Sequence, residues 1–273
     1  MESLHWGHCT PAVCSIIVMV STLFIFNRAR ADGRLFTYTY EADVPPKGEI
    51  EVEQWLTHRR GHKDGVFSAW DFREELEYGL TDHLTTALYL NFGSTHEGVR
   101  GVVDKDKFEF KGVSSEWKYQ LLNPRTKPLG VLVYGEATYN GQEVGLEEKL
   151  VIQKNLGDKW TVALNATLEQ EWEFESTGME RELVLELTGG ISCKLSQHWA
   201  IGLEGRNVRT FPDFDSEKTS AWFVGPALHY GASNWWATLT LLPQVAGRPD
   251  TKSWLNLDDH ERIEVRLIAG VDF

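Results

Sequence analysis

Acidic side chains recur at every second position in several segments of this chain. Glu51 and Glu53 flank Val52, and Glu75 and Glu77 flank Leu76 in the same way. In an extended strand this spacing places the charges on one face. Carboxylates that line a low-dielectric passage lower its electrostatic potential and attract cations. The chemistry indicated is the selection of cationic or polar solutes, and the candidate pore-lining residues are Glu51, Glu53, Asp71, Arg73, Glu75, Glu77, Glu136, Glu169, Glu171, Glu182, Glu186, Glu204, Arg206, His229, Arg262, Glu264 and Arg266.

The same charges allow a second interpretation. Arg73, Arg206 and Arg266 share faces with the carboxylates, so acids and bases from neighbouring strands can pair and fill the interior. Such an interior contains no continuous passage. The two interpretations are an acidic pore and a closed, structural or lipid-interacting barrel without transport activity.

The end of the chain shows which kind of element carries these charges. Apolar residues occupy the odd positions from Ile263 to Phe273, whereas Arg262, Glu264 and Arg266 occupy even positions. A period of two predicts a β-strand. Its apolar face is about as long as the ten residues that a tilted strand needs to cross a bilayer.

Residues 160–172 give a second example, bounded by aromatic residues. Trp160 and Trp172 end one apolar face, while Asn165, Glu169 and Glu171 lie on the other face. At a rise of about 3.4 Å per residue and a tilt of about 40°, the two Trp lie roughly 30 Å apart along the membrane normal. This spacing is typical of two interfacial girdles, for which the candidates are Trp160, Trp172, Trp199, Trp222, Tyr230 and Phe273.

Alternation of this kind recurs along residues 48–273 and predicts an all-β, antiparallel transmembrane β-barrel of about twelve strands. The clearest long connections, 93–105, 210–218 and 246–260, all follow odd-numbered strands, so one rim carries the long loops. A bulge is expected near Gly112, where the parity of the fourth strand is irregular. A soluble β-sandwich or lipocalin-like barrel with inverted faces is the alternative fold.

The first residues are predicted to be removed. An apolar run from Ala12 to Phe26 is too short to span a membrane, and Ala29 and Ala31 form a small-x-small cleavage pattern. We expect a signal peptide at 1–31 and a periplasmic N-terminal arm at 32–47, in which Pro45 and Pro46 interrupt regular pairing. The barrel then spans 48–273.

Two internal stretches and the chain end resemble a known class of protein. Residues 48–55 (Gly-Glu-Ile-Glu-Val-Glu-Gln-Trp), residues 77–82 (Glu-Tyr-Gly-Leu-Thr-Asp) and the terminal Phe273 resemble those of uncharacterised Gram-negative outer-membrane β-barrels, described as porin-like or transport-related. The resemblance implies a bacterial outer-membrane location, contact with outer-membrane lipids and lipopolysaccharide, and assembly by the barrel-assembly machinery through the C-terminal strand. It supplies no substrate and no catalytic residue, and we expect a monomer.

Other chemistry is less well supported by the residues. The histidines at positions 58, 62, 96, 229 and 260 match no motif of outer-membrane lipid hydrolases, so we expect no enzyme activity, with a lipid hydrolase as the remaining alternative. The stretches 258–261 and 213–215 contain acids that can bind a divalent ion, but a solvated loop explains them as well. We therefore expect no cofactor and no metal. A formal net charge of -13 argues against nucleic acid as a partner.

Overall fold

A computed structural model describes residues 33–98, 105–176 and 178–273. These residues form a closed barrel of twelve antiparallel strands, as the alternation predicted. The strands are β1 (Ile50–Arg60), β2 (Val66–Thr81), β3 (Leu84–Gly98), β4 (Lys105–Leu122), β5 (Gly130–Tyr139), β6 (Glu143–Leu156), β7 (Trp160–Glu175), β8 (Gly178–Lys194), β9 (Trp199–Pro212), β10 (Thr219–Gly231), β11 (Trp235–Arg248) and β12 (Ile263–Asp272). Within the described residues, no helix is long and apolar enough to span a membrane. The expected signal peptide lies outside the described residues.

Closure comes from pairing between the first and last strands. The ladder between β1 and β12 runs from Glu51 opposite Asp272 to Arg60 opposite Ile263. Every other strand pairs with its neighbours in sequence. A sheet closed in this way has no free edge, so its main-chain groups are satisfied within the barrel and it can cross hydrocarbon.

The two faces of the sheet differ as the alternation predicted. On β7, Leu164 is 58% exposed on the outer face, whereas Ala163 is fully buried on the inner face. On β12, Leu267 lies outside and Glu264 is buried inside. The outer surface is therefore an apolar band of the kind that faces lipid.

The irregular fourth strand contains the expected bulge. The register between β3 and β4 shifts between Asn91 and Phe92, which lie opposite Gly112 and Phe110. Gly112 has a φ of +114°. A Cβ atom there would lie 2.6 Å from the carbonyl oxygen of Tyr139, so a larger residue would meet both strain and a clash.

Strands extend further than expected at the rim that carries the longest connections. β3 continues to Gly98, β9 to Pro212 and β11 to Arg248, where loops were predicted from residues 93, 210 and 246. Main-chain pairing does not depend on apolar side chains, so the ladders continue past the apolar band. We call this rim the long-loop end, and the opposite rim, where β1 begins and β12 ends, the short-turn end.

The N-terminal segment requires a correction. Residues 32–47 were predicted to be a periplasmic arm, but the structure places residues 33–44 inside the barrel. Phe36, Thr37 and Thr39 are fully buried there. The two prolines correctly indicated the absence of regular pairing, but irregular structure does not imply exposure when wall side chains supply hydrogen bonds. We call residues 33–44 the plug.

A charge on the outer face tests whether this band faces lipid. Leu164→Arg should lower the free energy of unfolding in phospholipid vesicles by about 2–3 kcal/mol, because an arginine near the bilayer centre is costly. Urea titration followed by tryptophan fluorescence measures the change. Lys159→Arg, in the turn before β7, is the control and should leave stability unchanged. Equal stability of Leu164→Arg and the parent would argue for a soluble fold.

Candidate functional site: the occupied lumen

The predicted pore-lining residues lie on the inner face of the barrel, with Arg262 exposed at the long-loop rim. They do not line a single open passage. In the short-turn half, Glu53, Glu75, Glu77 and Glu204 are buried behind or against the plug. In the long-loop half, Glu169, Glu171, Glu182 and Glu186 are half-buried.

One wall carboxylate holds the centre of the plug. Glu204, on β9, accepts hydrogen bonds from the backbone N–H groups of Thr37 at 3.2 Å, Tyr38 at 2.8 Å and Thr39 at 2.6 Å. The Thr37 hydroxyl lies 3.4 Å from the same carboxylate. Three successive amides directed at one buried carboxylate supply the partners that its charge needs.

Wall amides hold the second half of the plug. The Asn165 side chain accepts from the Tyr40 backbone N–H at 2.6 Å and donates to the Tyr40 carbonyl at 3.0 Å. Gln153 accepts from the Ala42 N–H at 2.7 Å, and Gln120 donates to the Ala42 carbonyl at 2.6 Å. At Tyr40 and Ala42, both the backbone N–H and the backbone carbonyl therefore have a hydrogen-bond partner in the wall.

The beginning of the plug is held from the other side of the lumen. The carbonyl of Arg34 contacts Nδ1 of His229 at 3.0 Å and also accepts from the Thr238 hydroxyl. Arg266 donates to the Thr37 carbonyl at 3.4 Å. Contacts from β10 and β11 at one end of the plug and from β4 and β6 at the other show that it crosses the lumen.

Aromatic rings and cations pack around the plug. Phe36 lies against Gly190 and Gly202, where an added Cβ atom would come within 2.5 Å and 3.1 Å of its ring. The Arg266 guanidinium lies 3.7 Å from the ring centre of Tyr38, and Lys149 lies 3.9 Å from that of Tyr40. These are cation–π distances, and the glycines leave the space that Phe36 fills.

The guanidinium of Arg34 packs against one aromatic ring of the plug and one of the wall. It lies 3.9 Å from the ring centre of Tyr40 and 4.5 Å from that of Trp55. The indole N–H of Trp55 donates to Glu53 at 2.7 Å and to Glu75 at 3.1 Å. The plug thus brings a cation into a region that the wall makes acidic.

The buried acids near Trp55 also form the only metal-like groups found in the described part of the chain. Carboxylate oxygens of Glu75, Glu77 and Glu116 lie within 4.8 Å of one another, and so do those of Glu51, Glu53 and Glu77. The ammonium group of Lys118 lies 2.9 Å from Glu77 and 3.0 Å from Glu116. A lysine therefore already supplies positive charge where a cation would bind.

Charge is distributed unequally in the long-loop half. On one side, Arg59 and Lys111 pair with Asp71 at 2.9 and 2.8 Å, and Arg73 pairs with Glu136 at 2.6 Å. On the opposite side, inward-facing carboxylates of β7 and β8 form what we call the acidic wall. Among the described side chains, none of its members has a cation within ion-pair distance; they are Glu169, Glu171 and Glu182.

The connection 249–262 covers part of the long-loop end. Asn256 and Leu257 are fully buried, and His260 contacts the Thr219 hydroxyl at 3.1 Å. Burial lowers the pKa of His260, and the nearby positive charge of Arg206 adds to this effect. Burial raises the pKa of Glu261 well above its usual range. Within the stretch 258–261, His260 and Glu261 are therefore packed, whereas Asp258 and Asp259 are exposed, as expected for a solvated loop.

The aspartates of this connection do not cluster as ligands of a metal ion would. Asp258 lies 3.4 Å from Lys63, and Asp259 lies 3.7 Å from Lys218. At the other suggested position, Asp213 lies 3.9 Å from Arg181. Surface ion pairs account for these side chains.

The histidines occupy several different environments. His229 is in the lumen, and His96 lies 2.7 Å from Asp106. The ring of His58 is hydrogen-bonded to a serine, with its Nε2 2.9 Å from the Ser68 hydroxyl. No carboxylate among the described residues is bonded to His58, and its ring stacks on Trp70. This pair is a cross-strand contact and lacks the orienting acid of a hydrolase triad.

The girdle candidates lie on the outer face near the two rims. Trp160, Trp199, Trp222 and Phe273 are 42–45% exposed. Tyr230 packs between Trp199 and Trp235, with ring centres 4.7 and 5.0 Å apart. Trp172 lies at the long-loop end, with its ring centre 5.8 Å from that of Phe214.

Several important residues were absent from the predicted site. Asn165, Gln153, Gln120 and Trp55 lie on the inward parity of their strands, but they are uncharged and were not selected. The Tyr-rich composition of the plug was visible in the sequence. Its partners were not, because they come from strands far apart in the chain.

Comparison with solved structures supports the fold. The chain is similar to the COG4313 outer membrane channel from Pseudomonas putida F1, with 12% identity and a TM-score of 0.63 over 85% of this chain and 98% of that one. It is also similar to the KdgM porin, at 11% identity and a TM-score of 0.51 over 82% and 99% of the two chains. The NanC porin gives 9% identity and a TM-score of 0.52 over 81% and 98%. At these identities the likeness concerns the outer-membrane-type barrel alone.

Sequence comparison gives the family. No curated protein matches the chain. A family model described as a family of unknown function, DUF6662, matches residues 28–273, nearly all of the chain. The protein with this occupied twelve-stranded barrel therefore belongs to the DUF6662 family.

Proposed function

We propose that this protein is a channel of the bacterial outer membrane for small polar or cationic solutes, and that the plug controls whether it conducts. The supporting observation is how the plug is held. The main-chain hydrogen bonds described for residues 33–44 go to side chains and not to the main chain of a strand. Most of these side chains belong to the wall, such as Glu204 and Asn165, and Arg34 and Glu41 of the plug itself supply the others. The plug can therefore leave without breaking the ladders that close the barrel.

The charge of the long-loop half supports a preference for cations. The acidic wall, formed by Glu169, Glu171 and Glu182, faces a side where the acids are already paired with Arg59, Lys111 or Arg73. Unpaired carboxylates in a confined space attract cations and repel anions. A cation entering at the long-loop end meets this wall before it reaches the plug.

The hydrogen bonds of the plug also support the second candidate function, a closed structural barrel. Each buried hydrogen bond contributes about 1 kcal/mol, and those to a charged group contribute more. The contacts with Glu204, Asn165, Gln153 and Gln120 together keep the open state rare. The channel and the closed barrel therefore differ in whether weakening these contacts produces conduction.

Glu204→Gln should distinguish the two candidates. The glutamine amide keeps one accepting oxygen but replaces the other with an NH2 donor, which cannot accept from the plug N–H groups. Open probability should therefore rise about tenfold or more, which corresponds to about 1.4 kcal/mol. Single-channel recording of the full chain in planar bilayers measures this. Glu182→Gln, which removes an inward carboxylate away from the plug, is the matched control and should leave open probability unchanged. A folded, heat-modifiable Glu204→Gln barrel that stays electrically silent would support the closed structural barrel.

Selectivity should depend on the acidic wall. In the Glu204→Gln background, changing Glu169, Glu171 and Glu182 together to Gln should move the reversal potential under a KCl gradient from cation preference towards zero. Glu74→Gln, on the outer face, is the control and should not change the reversal potential. An unchanged reversal potential after the triple substitution would place the filter elsewhere in the lumen.

A further inference from the structure

The hydrogen-bonding pattern of the lumen wall points to a particular class of solute. We propose that the channel takes short peptides, and that the plug occupies their site as an internal ligand. This inference rests on the proposed channel function and adds the identity of the solute. It is carried by the contacts that the wall makes with the main chain of the plug.

The first step is that the wall binds peptide groups as such. Asn165 contacts both the N–H and the carbonyl of Tyr40. At Ala42, Gln153 accepts from the N–H and Gln120 donates to the carbonyl. Paired donor and acceptor contacts to one residue are what a neighbouring strand offers to an added peptide, and they are independent of that residue's side chain.

The second step is the spacing of these contacts. Tyr40 and Ala42 are two positions apart, and the chain before them bends at residues 37–39. Glu204 continues the row by accepting from the N–H groups of Thr37, Tyr38 and Thr39. The wall therefore contains main-chain partners for a bent segment of about six residues.

The third step concerns the side chains. Phe36 fills the space above Gly190 and Gly202, and Tyr38 lies over the guanidinium of Arg266. The ring of Tyr40 lies 5.3 Å from that of Tyr134 in an edge-on arrangement. These compartments accept aromatic rings, so peptides with aromatic residues at alternate positions fit best.

Displacing the plug removes the hydrogen bonds that these wall groups make to its main chain. Glu204 is fully buried, and Asn165, Gln153 and Gln120 are at least 95% buried. Removing one partner of a buried hydrogen bond is costly, whereas a ligand that offers the same groups restores it. A peptide solute restores the main-chain hydrogen bonds that the wall loses when the plug leaves. A simple ion or a sugar does not offer an N–H and a carbonyl in the same geometry.

The test uses the refolded full chain and a labelled nonapeptide with the sequence of residues 34–42, Arg-Leu-Phe-Thr-Tyr-Thr-Tyr-Glu-Ala. Thr39→Pro removes the plug N–H that bonds to Glu204 at 2.6 Å and leaves the wall intact. Tyr40→Ala loosens the plug by loss of packing and gives a second background. Heat-modifiable migration confirms that each variant is folded, and fluorescence anisotropy measures binding.

Both plug variants should bind the peptide about tenfold more tightly than the parent, because their own plug competes less. A peptide methylated on the nitrogens that match Tyr40 and Ala42 keeps every side chain and loses two donors. Its affinity should fall about tenfold. Asn165→Leu in the Thr39→Pro background should lower affinity for the unmodified peptide by a similar factor.

Other outcomes overturn one proposal without the other. Equal binding of the methylated and unmodified peptides would overturn recognition of the main chain. Plug variants that conduct KCl but bind no peptide would overturn the peptide inference and leave the channel in place. Variants that bind the peptide but never conduct would overturn the channel function while supporting the site.

Discussion

The structure depends on the need of every buried peptide group for a hydrogen-bond partner. In the closed barrel the strands satisfy one another, so their main chains have nothing to offer a segment that enters the lumen. The plug nevertheless buries the main chain of residues 37–42. Side chains of the wall must therefore supply the partners, which explains why Glu204, Asn165, Gln153 and Gln120 are polar in the interior of the barrel.

The same need for hydrogen-bond partners explains how the plug can close the lumen and still be released. A plug joined to the sheet by a backbone ladder would be another strand, and removing it would disrupt the barrel. A plug packed only by apolar side chains would need no carboxylate or amide from the wall. The observed arrangement lies between these cases, because the plug is held at defined positions by contacts that can be exchanged.

Charge divides the lumen into two parts with different properties. In the short-turn half, buried acids have local partners: the Trp55 indole serves Glu53 and Glu75, and Lys118 serves Glu77 and Glu116. In the long-loop half, pairing is concentrated on one side, and the acidic wall stays partly exposed. The two interpretations of the inward charges therefore apply to different parts of the lumen. Pairing of acids describes the short-turn half, and an acidic surface that can select cations describes one side of the long-loop half.

Local sequence was sufficient for most of the fold. A period of two specifies which residues share a face, so the outward and inward residues of β7 and β12, the twelve strands and the bulge at Gly112 could be predicted from the chain alone. The sequence also marked an interruption of regular pairing directly after the plug, through Pro45 and Pro46. These features depend on residues close together in the chain.

Only the tertiary structure decided what the lumen contains. Asn165 and Tyr40 are 125 positions apart, and Glu204 and Thr39 are 165 apart. Periodicity contains no information about which distant side chain a segment will meet, and an irregular stretch satisfies its peptide groups equally well with water or with a wall. Barrel closure decides between them, because it brings strands from the whole chain around the plug and excludes water from residues that the sequence alone would leave exposed.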